Sequence, residues 1–210
     1  MKETQAVLDF FAKPENLPLG LSVSELMDGI RERLNSDFWR SLQHRLKSHM
    51  HADSDWQIQL TEDRNNAAML VGLQCKPSGH QDLFLFPMLE QQYLGGVWRI
   101  YYGLMWNTTP APEQLALPAV VELKQLLTDA GFKSNENFLA WQWTRFHPRR
   151  SDFLSRYSSQ PETLIDEALT ILSPLLTEHQ KLIVAANESL QNAPRSMPVS
   201  LDQLRRKKAD

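Results

Sequence analysis

His49, His51, Asp53 and Asp55 alternate with residues that cannot hold a metal. In an extended segment that alternation places all four side chains on one face. Imidazole with carboxylate is a donor set for zinc, nickel or manganese, so His49, His51 and Asp53 are the candidate metal ligands. The intervening Ala52 and Ser54 suit a solvated connector equally well, and three alternating positions are a weak signal against that simpler reading.

A second cluster runs from Trp141 to Arg150, as WQWTRFHPRR. Aromatic faces interleaved with guanidinium groups offer stacking and charge-assisted hydrogen bonds. Single-stranded nucleic acid or a phosphate-bearing partner needs both. Trp143, Arg145, His147, Arg149 and Arg150 are therefore the candidate binding residues. Pro148 ends any strand pairing and restricts His147 to extended backbone. The plain alternative makes Trp141 and Trp143 core residues of a strand with Arg145, Arg149 and Arg150 at its exposed end, satisfied internally by Asp152 or Glu162.

A third pattern concerns metal-dependent phosphodiester cleavage, which needs an Asp followed by an acidic residue and a Lys one residue apart on a strand. Glu122-Leu123-Lys124 has the spacing but lies between Pro118 and Gly131, in a segment that reads as helix. Gln74-Cys75-Lys76 reads as strand but carries Gln in the acidic slot, with Asp63 as its nearest preceding partner. There is no GxSxG, Gly-rich phosphate loop or HExxH, and no cofactor is expected. Cys75 alternates with Val71 and Leu73 and reads as a core thiol. His179 falls on an apolar helical stripe and reads as structural.

The elements that would position these groups follow from periodicity. Residues 3 to 13 suit a short helix, and Pro14 and Pro18 then interrupt the chain. Ser22 and Glu25 form a capping box flanked by Leu21 and Leu26, which predicts a helix start there. Apolar positions continue to Leu46, as one kinked helix or two consecutive ones ending near Met50. Alternation at Trp56–Leu60, Met69–Cys75 and Trp98–Trp106, with the apolar run Leu83–Met88, predicts four strands. Short turns between them favour an antiparallel meander. Pro118 to Gly131 reads as a helix, and Phe138 to Phe146 as a fifth strand with Leu139, Trp141 and Trp143 on one face. Residues 161 to 190 read as helical with a break or kink at Ser173-Pro174. Ile165, Leu169, Leu176 and Ile183 lie off the main stripe of that region, which predicts burial on two sides, by the sheet and by either the N-terminal helices or a second subunit.

The organisation is therefore an N-terminal short helix and linker over residues 1–20, a single α+β domain over 21–191, and a loosely ordered basic tail over 192–210. The expected fold is an antiparallel meander of about five strands packed against N-terminal and C-terminal helices. Composition agrees. The chain has 210 residues, 42% of them hydrophobic and 22% charged, with a net charge of −3, which suits a folded protein and excludes one that coats nucleic acid by bulk charge. One cysteine excludes an intrachain disulfide. No apolar run is long enough to span a membrane, and the N-terminus lacks the pattern of a secretory signal, so the cytoplasm is the expected compartment.

Asp37-Phe38-Trp39 followed by Leu42 and Leu46 resembles the "FWxxLxxxL" helix found downstream of the nuclease core in some bacterial PD-(D/E)XK-family proteins. The segment Ile100-Tyr101-Tyr102-Gly103-Leu104 and the Trp-rich Leu139-Ala140-Trp141-Gln142-Trp143 are similar to strands of that region. The resemblance spans about residues 36 to 190 and concerns packing residues, and only 35 residues precede it. It implies a stand-alone accessory or recognition module linked to phage–host conflict, and it carries over no catalytic residue.

The expectation is a non-enzymatic protein that acts by binding a macromolecule, most readily another protein, with self-association as a further possibility. A nucleic-acid-binding module and a divergent metal-dependent nuclease or phosphodiesterase are the alternatives. Six Trp, four Tyr and nine Phe exceed the evident need of one small core. Both faces of the Val97–Trp106 strand carry aromatics, Tyr101 on one and Trp98, Tyr102 and Trp106 on the other.

Overall fold

A computed structural model describes residues 2–50, 56–63, 66–77 and 83–192. Two helices open the chain, α1 (Lys2–Phe11) and the 33-residue α2 (Leu17–His49). The expected helix start at Ser22 is displaced, and Ser22 and Glu25 lie in the interior of α2. Pro18 does not interrupt the chain because it occupies the first turn, where a missing N–H costs nothing. Of the two forms expected for this region, one helix and not two is found, running unbroken through Asn35-Ser36-Asp37. Asn35 is buried and its amide N–H donates to the Leu70 carbonyl at 3.2 Å, while its Oδ1 has no hydrogen-bond partner among the described residues. Phe38, Trp39, Leu42 and Leu46 are fully buried, while no residue of α2 before Asn35 is.

Five strands form one antiparallel sheet in the order β1 (Trp56–Asp63), β2 (Asn66–Pro77), β3 (Leu85–Leu94), β4 (Val97–Trp106) and β5 (Phe138–Trp143). This is the meander read from the alternating pattern. Leu94 pairs with Val97 across Gly95-Gly96, whose φ angles of 58° and 85° suit a two-residue hairpin turn. Gly103 of β4 permits unusually close strands. A Cβ there would lie 2.1 Å from the Ala140 carbonyl oxygen and 2.7 Å from the Trp141 Cα.

The remaining helices are α3 (Pro112–Leu115), α4 (Pro118–Asp129), α5 (Ser151–Ser159), α6 (Pro161–Thr177) and α7 (Gln180–Gln191). Glu122 and Lys124 lie on α4, so that spacing is helical as expected. The break in the C-terminal region falls at His179, not at Pro174, which sits inside α6. Leu172, Leu175 and Leu176 on either side of Pro174 are buried, and their packing offsets the missing backbone bond. Ile165, Leu169, Leu176 and Ile183 are all buried within the chain, so no second subunit is needed to cover them. Among the described residues no helix is long and apolar enough to cross a membrane.

α2, α4, α5, α6 and α7 all contribute to one core against one face of the sheet. Phe38 meets Phe153 and Tyr157 edge-on, and the Trp56 indole donates to the Leu176 carbonyl at 2.9 Å. A second apolar cluster holds Leu83, Phe86, Met88, Tyr101, Met105 and Phe138, with Trp141 and Trp143 packed against it, and no residue of a described helix belongs to it.

Candidate functional site

The second cluster owes its aromatic content to a bulge in β5. Leu104 pairs with Ala140 but Met105 pairs with Phe138, so Leu139 is an extra residue. A bulge shifts the alternation by one. Leu139 and Ala140 therefore both face the helices, while Phe138, Trp141 and Trp143 face the other way. Strict alternation predicted Leu139, Trp141 and Trp143 on one face, and the bulge overturns that.

On this helix-free face the cross-strand row Gly72, Glu90, Tyr101 and Trp143 runs through four strands. The Tyr101 hydroxyl donates to the buried Glu90 carboxylate. The Tyr101 ring lies edge-on to Phe138 and Trp143, each at 5.6 Å, and Trp143 is perpendicular to Trp141 at 5.5 Å. The Arg99 guanidinium sits over the Trp143 ring, 4.3 Å from its centroid. Beside this array a groove of about 230 Å³ is lined by Glu90, Gln92, Tyr101, Met105 and Asn137, among others. Two buried donors here, Arg99 Nε and the Trp141 indole N–H, have no hydrogen-bond acceptor among the described residues.

The segment from Trp143 to Arg150 does not act as one patch. Only Trp143 belongs to the helix-free face. Arg145 turns to the other side and shares the Glu167 carboxylate of α6 with Arg156. The hydrogen bond from Arg156, with that from Arg145, holds the Glu167 carboxyl below the usual carboxylate range. Arg150 pairs with Asp152 at 3.2 Å, one of the two internal partners expected. The other, Glu162, is replaced by Glu167 in the pairing with Arg145. Arg149 adopts φ 71°, in the left-handed region, and stacks 5.5 Å from the Trp98 ring centroid. The His147 carbonyl accepts from the Arg150 N–H at 3.3 Å, and its buried Nδ1 has no partner among the described residues.

The metal and nuclease patterns gain no geometry. His49 is exposed at the end of α2, and His51 and Asp53 lie outside the described residues. Among the described residues no group of three His, Cys, Asp or Glu side chains is arranged to hold a metal ion. Lys76 pairs with Gln57 whereas Asp63 pairs with Asn66, at the far end of the same hairpin. Six strand residues at about 3.3 Å each separate the two by roughly 20 Å, too far for one site. Cys75 is fully buried, and burial pushes its thiol up to about 12, so it is no nucleophile.

Sequence reasoning missed Arg99 and Glu90. The signal was the alternation of β4, which puts Arg99 on the same face as Tyr101, and the hairpin at Gly95-Gly96, which fixes Glu90 opposite Tyr101. Comparison with protein-family models, with curated proteins and with solved structures finds no match for this chain.

Proposed function

We propose that this chain is a non-enzymatic binding protein whose helix-free sheet face receives a protein partner. The observation that carries the reading is the part-exposed Arg99–Trp143 stack with Trp141 beside it, seated on the buried Tyr101 and Phe138 on a face that no described helix covers. Trp, Tyr and Arg are the residues that anchor protein interfaces: Trp and Tyr add large contact area at small ordering cost, and Arg adds a planar fork that stacks and hydrogen-bonds. A sheet supports such anchors rigidly, so little freedom is lost on binding. The resemblance to the region downstream of a nuclease core would place that partner in phage–host conflict.

The test is affinity capture from the native host with the wild-type chain and with Arg99→Glu/Trp143→Ala, folding of both being checked by circular dichroism. A protein recovered by the wild type and lost with the folded double variant supports the reading. Equal recovery by both overturns it. Single-stranded oligonucleotide binding that weakens steeply with salt, and that Arg149→Glu/Arg150→Glu abolishes, would assign the chain to nucleic acid instead.

A further inference from the structure

The first 18 residues of α2 form an arm about 27 Å long at 1.5 Å per residue, with α1 beside it. Leu19, Val23, Leu26 and Ile30 on that arm are 56%, 43%, 65% and 48% exposed. At about 100° per residue they fall within a stripe about 60° wide, and the charged Glu25, Asp28, Arg31 and Glu32 fall on the other side of the helix. The stripe also points away from the face that carries Phe38, Leu42 and Leu46 into the core. It ends where Arg33 and Asp37 replace the aliphatic residues. Val7, Leu8 and Phe10 of α1 are exposed as well and widen the apolar area.

The spacing of the stripe, four then three then four residues, reads the same in both directions. A two-fold axis between Val23 and Leu26 therefore sets Leu19 against Ile30 of a second copy and Val23 against Leu26 of a second copy. Such a self-complementary patch is what an isologous contact requires. The small residues Ser22 and Gly29 border one edge and face each other across the same axis. Gly29 has no explanation within one chain. A Cβ there would meet nothing within 4 Å, whereas one at Gly20 would meet the Phe11 ring at 2.9 Å. A glycine in an exposed helix costs about 1 kcal/mol against alanine, and in the pair it admits the second backbone. The same register brings the exposed Arg33 to Glu15 in the turn that precedes α2 of the second copy.

We propose that the chain pairs with a second copy of itself through antiparallel contact of the two arms. One face of an arm about 27 Å long and 10 Å wide, extended by α1 at about 15 Å by 10 Å, offers roughly 400 Å² per copy. Two copies bury about 800 Å², less than the roughly 1,200 Å² of stable specific interfaces, so the dimer is weak, transient and concentration-dependent.

Sedimentation velocity on the full chain from micromolar to several hundred micromolar tests this. The wild type shifts from monomer to dimer over that range. Leu26→Glu, which sets a charge beside the axis at a position exposed in the monomer, lowers the association constant at least tenfold with the helical circular dichroism unchanged. Under oxidation Val23→Cys/Leu26→Cys forms a covalent dimer and Leu19→Cys alone forms none. A wild type that stays monomeric throughout, association that Leu26→Glu leaves intact, or crosslinking by Leu19→Cys alone would each overturn the proposal.

Discussion

Asn187 of α7 faces the start of β3, and replacing it with alanine tests how the last helix is fixed to the sheet. Its Oδ1 accepts from the Phe84 and Leu85 N–H groups, each at 2.9 Å. Its Nδ2 donates to the Leu85 and Ile183 carbonyls, each also at 2.9 Å. The residue is 1% exposed, so water does not share these bonds. Asn187→Ala leaves two strand N–H groups and the Leu85 carbonyl unpaired, while the Ile183 carbonyl keeps its place in the helix. At about 1–3 kcal/mol for each buried group left unsatisfied, the three cost roughly 3–9 kcal/mol. Water entering the space left by the amide lowers that to about 3–5 kcal/mol. Urea unfolding should show a midpoint lower by about 1–2 M at an unchanged slope, for a slope near 2–3 kcal/mol/M. Loss of less than 1 kcal/mol would mean that the strand start is paired by other means and that Asn187 does not fix α7 to the sheet.

Three other outcomes follow from particular positions. Gly103→Ala should destabilise by about 3 kcal/mol because a Cβ 2.1 Å from the Ala140 oxygen forces β4 and β5 apart, whereas Gly29→Ala, in open space, should stabilise the monomer by about 0.5–1 kcal/mol; paired urea unfolding at low protein concentration reads both signs. Arg149→Gly relieves the left-handed φ of 71° and loses only the stack on Trp98, so unfolding should show a gain of about 0.5–1 kcal/mol. Burial raises the Cys75 thiol from 9.0 to about 12, so the unfolded chain loses this proton first and stability falls as pH rises through that window. Cys75→Ala, compared with the wild type by denaturation across the same window, should flatten that part of the profile.

Much of the sheet was legible because β4 alternates without error from Trp98 to Trp106 and Gly95-Gly96 marks its turn. The two-sided burial of the C-terminal helices was legible in Ile165, Leu169, Leu176 and Ile183. The bulge at Leu139 was not, since an extra residue in one strand is defined by its partner and leaves no mark on a single alternating run. It hid the fact that Trp141 and Trp143 leave the helical core. The start of α2 was misread because proline serves a first turn as well as it breaks an interior. α5 was missed although Phe153, Leu154 and Tyr157 have helical spacing, because the segment is nine residues long and follows a run of arginines. The arginines at 145 and 150 drew attention as a surface, yet Arg145 is engaged by Glu167 of α6 and Arg150 by the neighbouring Asp152.

The proposed function places a protein partner on the aromatic face around Trp143 and Arg99. Isothermal titration of the captured partner into wild type, Trp143→Ala and Leu26→Glu measures it directly. Trp143→Ala should bind at least tenfold more weakly, the loss of an interface anchor worth about 1.4 kcal/mol or more, and the arm variant Leu26→Glu should keep an unchanged dissociation constant. An unchanged constant for folded Trp143→Ala would contradict that placement.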